Sequence, residues 1–393
     1  MQSTTSLVLG GGMGGLATAR TLRGLLPAEH RITVVDAAAD FSVGATNIWL
    51  ATGRARREEL ARPREALLPA GVDLVEAAVT RVDPASGEVE TSAGRLRGDY
   101  VVIALGADVS MKALPGLDSA ETFYTQDGAE RLAARLRDFA GGDLVLLIPR
   151  LPFKCPAAPY EAAFVIERLL GERGLAERSR ISIHTVEETP LGAAGPEAGK
   201  RLREALAARG IEFHPGRKVS TIDPGQRGVL FEDGTQARFD LLIAVPVHEA
   251  PRAARDSGLT SETGWIPVDP GTFRVASRQG PVPVYAVGDV TVLPLPGRFR
   301  PDRPLALPKA GVFAEAQGKA VARDIAARAL GGGSPERFDG KGYCFLETGG
   351  GEAMKVEGSF LDLPHPEGRL CEADAATHQL KRDWVDRWLT GRI

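Results

Sequence analysis

Short apolar runs, each closed by small or polar residues, alternate along this chain with stretches whose apolar positions recur at helical spacing. Ser6-Leu7-Val8-Leu9 and the runs at 31–36, 99–103, 143–148, 181–185, 240–246 and 284–287 read as strands, with 143–148 a buried parallel one. Helices are expected from Leu16 onward, over 159–173 and over 196–209, and a hairpin around Glu232-Asp233-Gly234. Strands that alternate with helices argue for parallel sheets, hence an α/β fold built from two related units. The first unit is expected to be discontinuous, residues 1–112 and 264–330, with the second at 113–263. Gly331-Gly332-Gly333-Ser334-Pro335 reads as a linker within the C-terminal segment 331–393.

Between the first strand and the first helix stands Gly10-Gly11-Gly12-Met13-Gly14-Gly15, the G-x-G-x-x-G spacing. Gly10 allows the turn, Gly12 admits a pyrophosphate, and Gly15 permits close packing of helix on strand. The second strand ends in Asp36, whose carboxylate can accept from ribose hydroxyls. This makes the first unit a Rossmann-like dinucleotide-binding domain, with Gly10, Gly12, Met13, Gly15 and Asp36 as cofactor contacts. Two later strands end in small-residue turns, at Ala104-Leu105-Gly106 and at Gly288-Asp289.

The second unit keeps the Rossmann-like scaffold and loses the nicotinamide grip. After 148 the chain reads Pro149-Arg150-Leu151-Pro152-Phe153-Lys154-Cys155-Pro156-Ala157. Prolines lack the N–H groups that cradle phosphates, and no glycine lets the backbone approach them. A thiol, Cys155, stands there instead.

Charge and composition narrow the class. The 393 residues exceed one ordinary core, and a net charge of -3 offers no basic face for nucleic acid. No apolar stretch approaches the ~20 residues that span a bilayer, and the N-terminus carries no export signal. Three cysteines, Cys155, Cys344 and Cys371, are too few for a disulfide scaffold. A cytoplasmic protein is expected, in which a disulfide is more often catalytic than structural. No metal site is expected.

The chain resembles the sulfide:quinone oxidoreductase and flavocytochrome c sulfide dehydrogenase group over nearly all its length. Lys154-Cys155-Pro156-Ala157-Ala158-Pro159-Tyr160-Glu161 resembles the family's K-C-P-x-A-P-Y-E loop. Leu307-Pro308-Lys309-Ala310-Gly311 resembles its segment opening a helix beside the flavin, and Gly342-Tyr343-Cys344-Phe345 the one with its second redox cysteine. Ala104-Leu105-Gly106 is similar to the A-T-G motif of two-dinucleotide-domain flavoproteins, and Gly288-Asp289 to their G-D motif, whose acid binds ribityl hydroxyls. Residues 211–216 and 263–269 resemble the dehydrogenase branch, and 384–389 the tail of the quinone-reducing branch. The resemblance implies a glutathione-reductase-like flavoprotein with FAD, bound non-covalently because Ser42 stands where covalent members carry a cysteine. Ala104, Gly106, Gly288, Asp289 and Lys309 join the cofactor contacts. Two features depart from the pattern: Tyr124 to Ala129 holds no upstream cysteine, and Pro190-Leu191-Gly192-Ala193 is followed by no histidine.

What the resemblance implies chemically is oxidation of sulfide, or a related sulfur compound, at a Cys155–Cys344 pair, with two electrons passing through FAD to a quinone. Lys154 and the helix beginning near Ala158 are expected to favour the Cys155 thiolate. Glu161 is the candidate acid/base, and Lys309 the cation stabilising reduced flavin. Phe345 and Phe360 are candidates to line a quinone pocket; Cys371, His184 and His214 read as structural. Two other readings stay open: an NAD(P)H dehydrogenase of the same fold, and a non-catalytic or regulatory flavoprotein, or flavin subunit, that needs a redox partner. In the tail, 378–390, Leu380, Trp384, Val385, Trp388 and Leu389 form an apolar stripe. Two tryptophans among basic residues suit a membrane interface, placing the protein peripherally on the inner face of the cell membrane. Packing on the body, or on a second copy in a homo-oligomer, accounts for the stripe equally well.

Overall fold

The computed structural model describes residues 3–275, 281–333 and 337–393, so Ser334 and Pro335 of the expected linker lie outside the described residues. Strand β1 (Thr5–Leu9) leads through the glycine turn into helix α1 (Met13–Leu25). Strands β2 (Arg31–Asp36), β3 (Asp73–Glu76) and β4 (Tyr100–Ile103) follow, all parallel to β1. Their apolar runs are buried on both faces, as Val8, Leu9, Val34 and Val102 show.

The chain then crosses to the second unit. Helix α2 (Gln126–Asp138) precedes β5 (Gly142–Ile148), α3 (Ala158–Glu172), β6 (Ser179–Thr185), α4 (Pro196–Ala208), β7 (Glu212–His214) and β8 (Leu241–Ala244). These strands form a parallel sheet in the order β7-β6-β5-β8. The return supplies β9 (Val284–Ala286), which completes the first sheet as β9-β4-β1-β2-β3, and helix α5 (Gly311–Ala329).

The two crossings pair with each other, residues 108–110 against 247–249. The chain therefore re-enters the first unit at about residue 250 rather than at 264: Ala254 and Leu259 pack in its core, and the Val82 N–H donates to Ser257 Oγ (2.8 Å). The short helix of this return, Arg252–Asp256, buries two alanines. That is too little apolar surface to register as a pattern in the sequence.

Strands β10 (Lys341–Gly349), β11 (Glu352–Ser359) and β12 (Glu367–Leu370) form an antiparallel sheet, followed by helix α6 (Ala375–Leu389). Cys344, on β10, touches both the first and the second core. Helix α6 turns Thr377, Lys381, Val385, Trp388 and Leu389 inward. Val385, Trp388 and Leu389 pack on Leu16, Ala17, Phe41 and Val43 of the first unit. Val385, Trp388 and Leu389 of the tail stripe thus cover the body of the protein, whereas Trp384 is half-buried and Leu380 is 52% exposed. Among the described residues, no helix is long and apolar enough to cross a membrane.

Candidate active site

A cavity of about 670 Å³ is shared by the glycine turn, the C-terminal ends of the first sheet, the Cys155 loop, β10 and α6. That size is ordinary for a small-molecule site. Gly10, Gly12, Met13, Asp36, Ala104, Gly106, Gly288 and Asp289 all line it. Gly15 does not; it packs behind the turn against the Gly10 carbonyl and acts on a ligand through packing alone.

The lining fits FAD. Gly10 has φ +101°, and a side chain there would come within 2.3 Å of the Ala104 carbonyl. A Cβ on Gly12 would meet nothing within 4 Å, which leaves the backbone open to a pyrophosphate. Asp36 already accepts from the Gly11 and Ala38 N–H groups (2.6 and 2.9 Å) and keeps lone pairs for ribose hydroxyls. Among the described residues, no hydrogen bond reaches the Asp289 carboxylate, and burial holds it above the usual carboxylate range. Among the described residues, Asn47 Oδ1 and Trp384 Nε1, buried in residues lining the same cavity, have no hydrogen-bond partner, and Arg64 Nη1 has only an ion pair with Asp36 Oδ1 at 3.4 Å. Buried polar atoms are seldom left so, and a ligand with phosphate and polyol groups would satisfy them. The N-terminus of the long helix α5 also opens here, at Ala310 and Gly311, and favours negative charge.

The Cys155 loop reaches this cavity because it docks on the first unit. The Cys155 N–H donates to the Lys309 carbonyl (2.7 Å), and the Ala158 N–H to the Cys155 carbonyl (2.9 Å). Cys155 has φ +55°, a left-handed conformation costly for a non-glycine residue and one that recurs at functional sites. Cys344 borders the same cavity, and both thiols are unbridged. Burial pushes the Cys155 thiol up to about 12, and the Glu161 carboxylate adds to this; Lys381 and the Ala158 N–H oppose it. Burial and then Cys155 itself raise the Cys344 thiol, again against Lys381. The thiolate help expected from Lys154 is therefore supplied by Lys381 of α6, and burial outweighs it.

Lys309 does not have the free ammonium expected of it. Its Nζ donates to the carbonyls of Asp289 and Thr291 (2.6 and 2.8 Å) and sits 3.5 Å from the centroid of the Trp265 ring. Burial lowers it to about 8. With its protons committed to the protein, it positions the 289–291 turn; the α5 N-terminus is better placed to meet negative charge.

Glu161 sits in a cluster that sequence reasoning missed. Lys381 Nζ donates to Glu161 Oε1 (2.5 Å) and lies 2.9 Å from Glu347 Oε1, and all three side chains are almost fully buried. Burial raises Glu161 against the pull of Lys381; burial also pushes Glu347 up, but Lys381 and the Trp49 N–H bring it below its usual range. Lys381 shares the inward face of α6 with Thr377, Val385 and Trp388, so its helical register was the available signal.

In the second unit the acid after β6 is bonded within the protein. Glu187 follows β6 where Asp36 ends β2, but its carboxylate accepts from the Tyr160 hydroxyl and from Thr185 Oγ1 (3.1 Å). Burial raises Glu187 to about 7. The folded state thus holds this proton more tightly than the unfolded chain, so stability is lost as pH rises from the usual carboxylate range toward 7. Glu187→Gln keeps the hydrogen bonds and is expected to gain roughly 1–3 kcal/mol at about pH 8, with no gain at about pH 5, in urea denaturation.

Phe345 lines the main cavity, 6.3 Å from Trp384 between ring centroids, whereas Phe360 is buried in the first core against Phe313 and lines no part of it. His184 and His214 stack on each other at 4.4 Å in the second sheet. Cys371 lies outside the cavity lining, its N–H bonded to the Lys355 carbonyl (2.9 Å).

The family model of the pyridine nucleotide-disulphide oxidoreductases matches residues 4–147 and 160–317. The chain is 24% identical to the mitochondrial sulfide:quinone oxidoreductase of Mus musculus over 73% of its own length and 66% of the mouse protein. It is 27% identical to the sulfide-quinone reductase of Aquifex aeolicus, over 81% of this chain and 75% of that one. The X-ray structure of the sulfide:quinone oxidoreductase from Aquifex aeolicus superposes with a TM-score of 0.86 at 23% identity, covering 99% of this chain and 92% of that chain, a likeness of fold. A type II NADH:quinone oxidoreductase of Staphylococcus aureus is 27% identical over 85% of this chain and 84% of its own.

Proposed function

The chain belongs to the pyridine nucleotide-disulphide oxidoreductase family, and from that premise we propose that it is an FAD-dependent oxidoreductase that oxidises sulfide, or a closely related sulfur compound, through Cys155 and Cys344 and delivers the electron pair to a quinone. The observation that carries this reading is the meeting of two thiols from different lobes in one cavity with the dinucleotide turn. FAD, held by the glycine turn, Asp36 and Asp289, supplies two-electron acceptor chemistry when bound. The names of the mouse and Aquifex relatives support sulfide as reductant and a quinone as acceptor.

A thiol held as high as Cys155 is a poor nucleophile. In this reading the pair is a disulfide that is attacked, and the sulfur that leaves depends on Lys381 to offset the cost of burying a thiolate. Hydrosulfide forms a new S–S bond to one cysteine, the Cys155–Cys344 bond breaks, and the other sulfur leaves as thiolate. Lys381 favours the thiolate at either position. Glu161, bonded to the same ammonium and lining the same cavity, is the acid/base group nearest the pair.

The competing reading is NADH oxidation, favoured by the Staphylococcus relative. The proline-bearing loop and the Tyr160–Glu187 bond argue against it, because they fill the place of a phosphate cradle and of a ribose-binding acid. Anaerobic titration separates the two. Sulfide is expected to bleach the visible flavin band within the mixing time of a manual experiment, and NADH to leave it essentially unchanged. Rapid bleaching by NADH alone would reverse the assignment.

A further inference from the structure

The buried Glu161–Lys381–Glu347 cluster has an outlet to solvent. Glu347 Oε1 accepts from Trp49 Nε1 (2.6 Å) and faces Lys381 (2.9 Å), while Oε2 lies 3.9 Å from His378 Nε2 and 3.8 Å from Arg54 Nη1. The side chains of Lys381 and Glu347 are 1% exposed, and that of His378 is 20% exposed. His378 and Lys381 lie three residues apart on α6, so one face of that helix carries both. A line of titratable groups thus runs from the cavity wall at Glu161 through Lys381 and Glu347 to the surface at His378, with one gap that a single water can bridge. We propose that this line is a proton conduit that feeds the cavity from solvent, with His378 as its outer entry.

The charge arrangement suits that task. Two carboxylates share the one fully buried ammonium, and Arg54 reaches only Glu347, so the charge least compensated in this dry site is the inner carboxylate's and one added proton relieves it. That proton belongs on Glu161, which lines the cavity and is raised by burial, rather than on Glu347, which Lys381 and Trp49 hold down. Other charged or titratable groups also face the line. Arg54 lies 3.8 Å from Glu347, Arg382 lies beside the Trp49 ring, and Cys155 and Cys344 border the inner end of the line. His378 stands at the exposed end of the line with an imidazole, whose two ring nitrogens allow a proton to be accepted on one and released from the other.

On the sulfide and quinone reading proposed above, on which this conduit rests, the reaction has a proton to find. Hydrosulfide, one proton and a quinone give one sulfane sulfur and a quinol. Two electrons leave the sulfur and enter the quinone; hydrosulfide supplies one of the two protons, and solvent must supply the other. His378 would take it up and pass it through Glu347 and Lys381 to Glu161.

The test compares full-length, FAD-loaded His378→Asn with the parent protein in two half-reactions. Bleaching by sulfide reports the sulfur half, and the return of flavin colour on adding a soluble quinone analogue reports the other. Bleaching is expected to be unchanged, and the return of colour to slow about tenfold or more and to recover with imidazole in the buffer. Unaltered recolouring overturns the conduit, and so does a slowing that imidazole does not relieve, which would mark a structural effect. If the parent protein is neither bleached by sulfide nor recoloured by the quinone, the functional reading fails instead, and infrared titration of the FAD-loaded protein decides on the conduit. A carboxylic C=O band persisting above the usual carboxylate range, absent from Glu161→Gln and displaced in Glu347→Gln, is the expected result. Absence of that band from the parent overturns the conduit whatever the reductant.

Discussion

Cys155→Ser is expected to bind FAD as the parent does and to lose sulfide-driven bleaching by at least about a thousandfold. A hydroxyl forms no S–S bond, so no disulfide is available for hydrosulfide to open and no persulfide can form. FAD retention is expected because the residues that fit its phosphates and polyol, Gly12, Asp36 and Asp289, belong to the other unit and do not depend on the sulfur. The backbone is preserved too: the Cys155 N–H and carbonyl bonds to Lys309 and Ala158 are main-chain bonds that serine keeps. Stopped-flow mixing with sulfide under anaerobic conditions checks this, with the visible spectrum before mixing as the measure of bound flavin. Bleaching at the parental rate would remove the thiol from the chemistry. Cys344→Ser is expected to behave in the same way.

The second large effect is on stability. Lys381→Met removes the ammonium between Glu161 and Glu347 and leaves two carboxylates facing each other in a dry site. Breaking a buried pair in this way costs about 3–5 kcal/mol, because Glu161 loses its cation and Glu347 is left with only the Trp49 N–H and the more distant Arg54. The sign of the pH dependence follows. Without the ammonium, both carboxylates of the folded variant hold protons to higher pH than they do unfolded, so stability is lost as pH rises above the usual carboxylate range. The deficit against the parent is expected to be largest at about pH 8 and to shrink toward about pH 5 in urea denaturation. A deficit independent of pH would mean that Lys381 contributes packing by its methylene stem rather than charge. Glu347→Gln placed on Lys381→Met is expected to recover part of the loss, since it removes one of the two stranded charges.

Much of the scaffold was legible because it is written in local physics. The runs around Val8, Val34, Val102 and Leu146 are apolar at successive positions, which suits a strand covered on both faces. Gly10 and Gly12 stand between such a strand and a helix, where backbone conformation and close approach demand them. The Cys155 loop was legible for what it lacks as much as for its thiol. The return near residue 250 was not, because two buried alanines make no periodic signal. Lys309 was misread because a charge beside a motif looks free until its neighbours are known, and these are the carbonyls of Asp289 and Thr291.

The tail shows the limit most clearly. Leu380, Trp384, Val385, Trp388 and Leu389 form the apolar stripe, yet the face that turns inward carries Thr377 and Lys381 alongside Val385, Trp388 and Leu389, while Leu380 faces solvent. An amphipathic pattern states that a helix has a covered side; it does not state what covers it, nor whether a lysine on that side meets solvent or two carboxylates. Alone, the sequence determined the two α/β units, the dinucleotide turn and the proline-bearing loop that carries Cys155, since each depends on residues adjacent in the chain. Tertiary structure alone decided that Cys155 and Cys344 share a cavity and that Glu161, Lys381 and Glu347 form one charge cluster. Those contacts join residues far apart in the chain, and their energies come from burial, which packing creates.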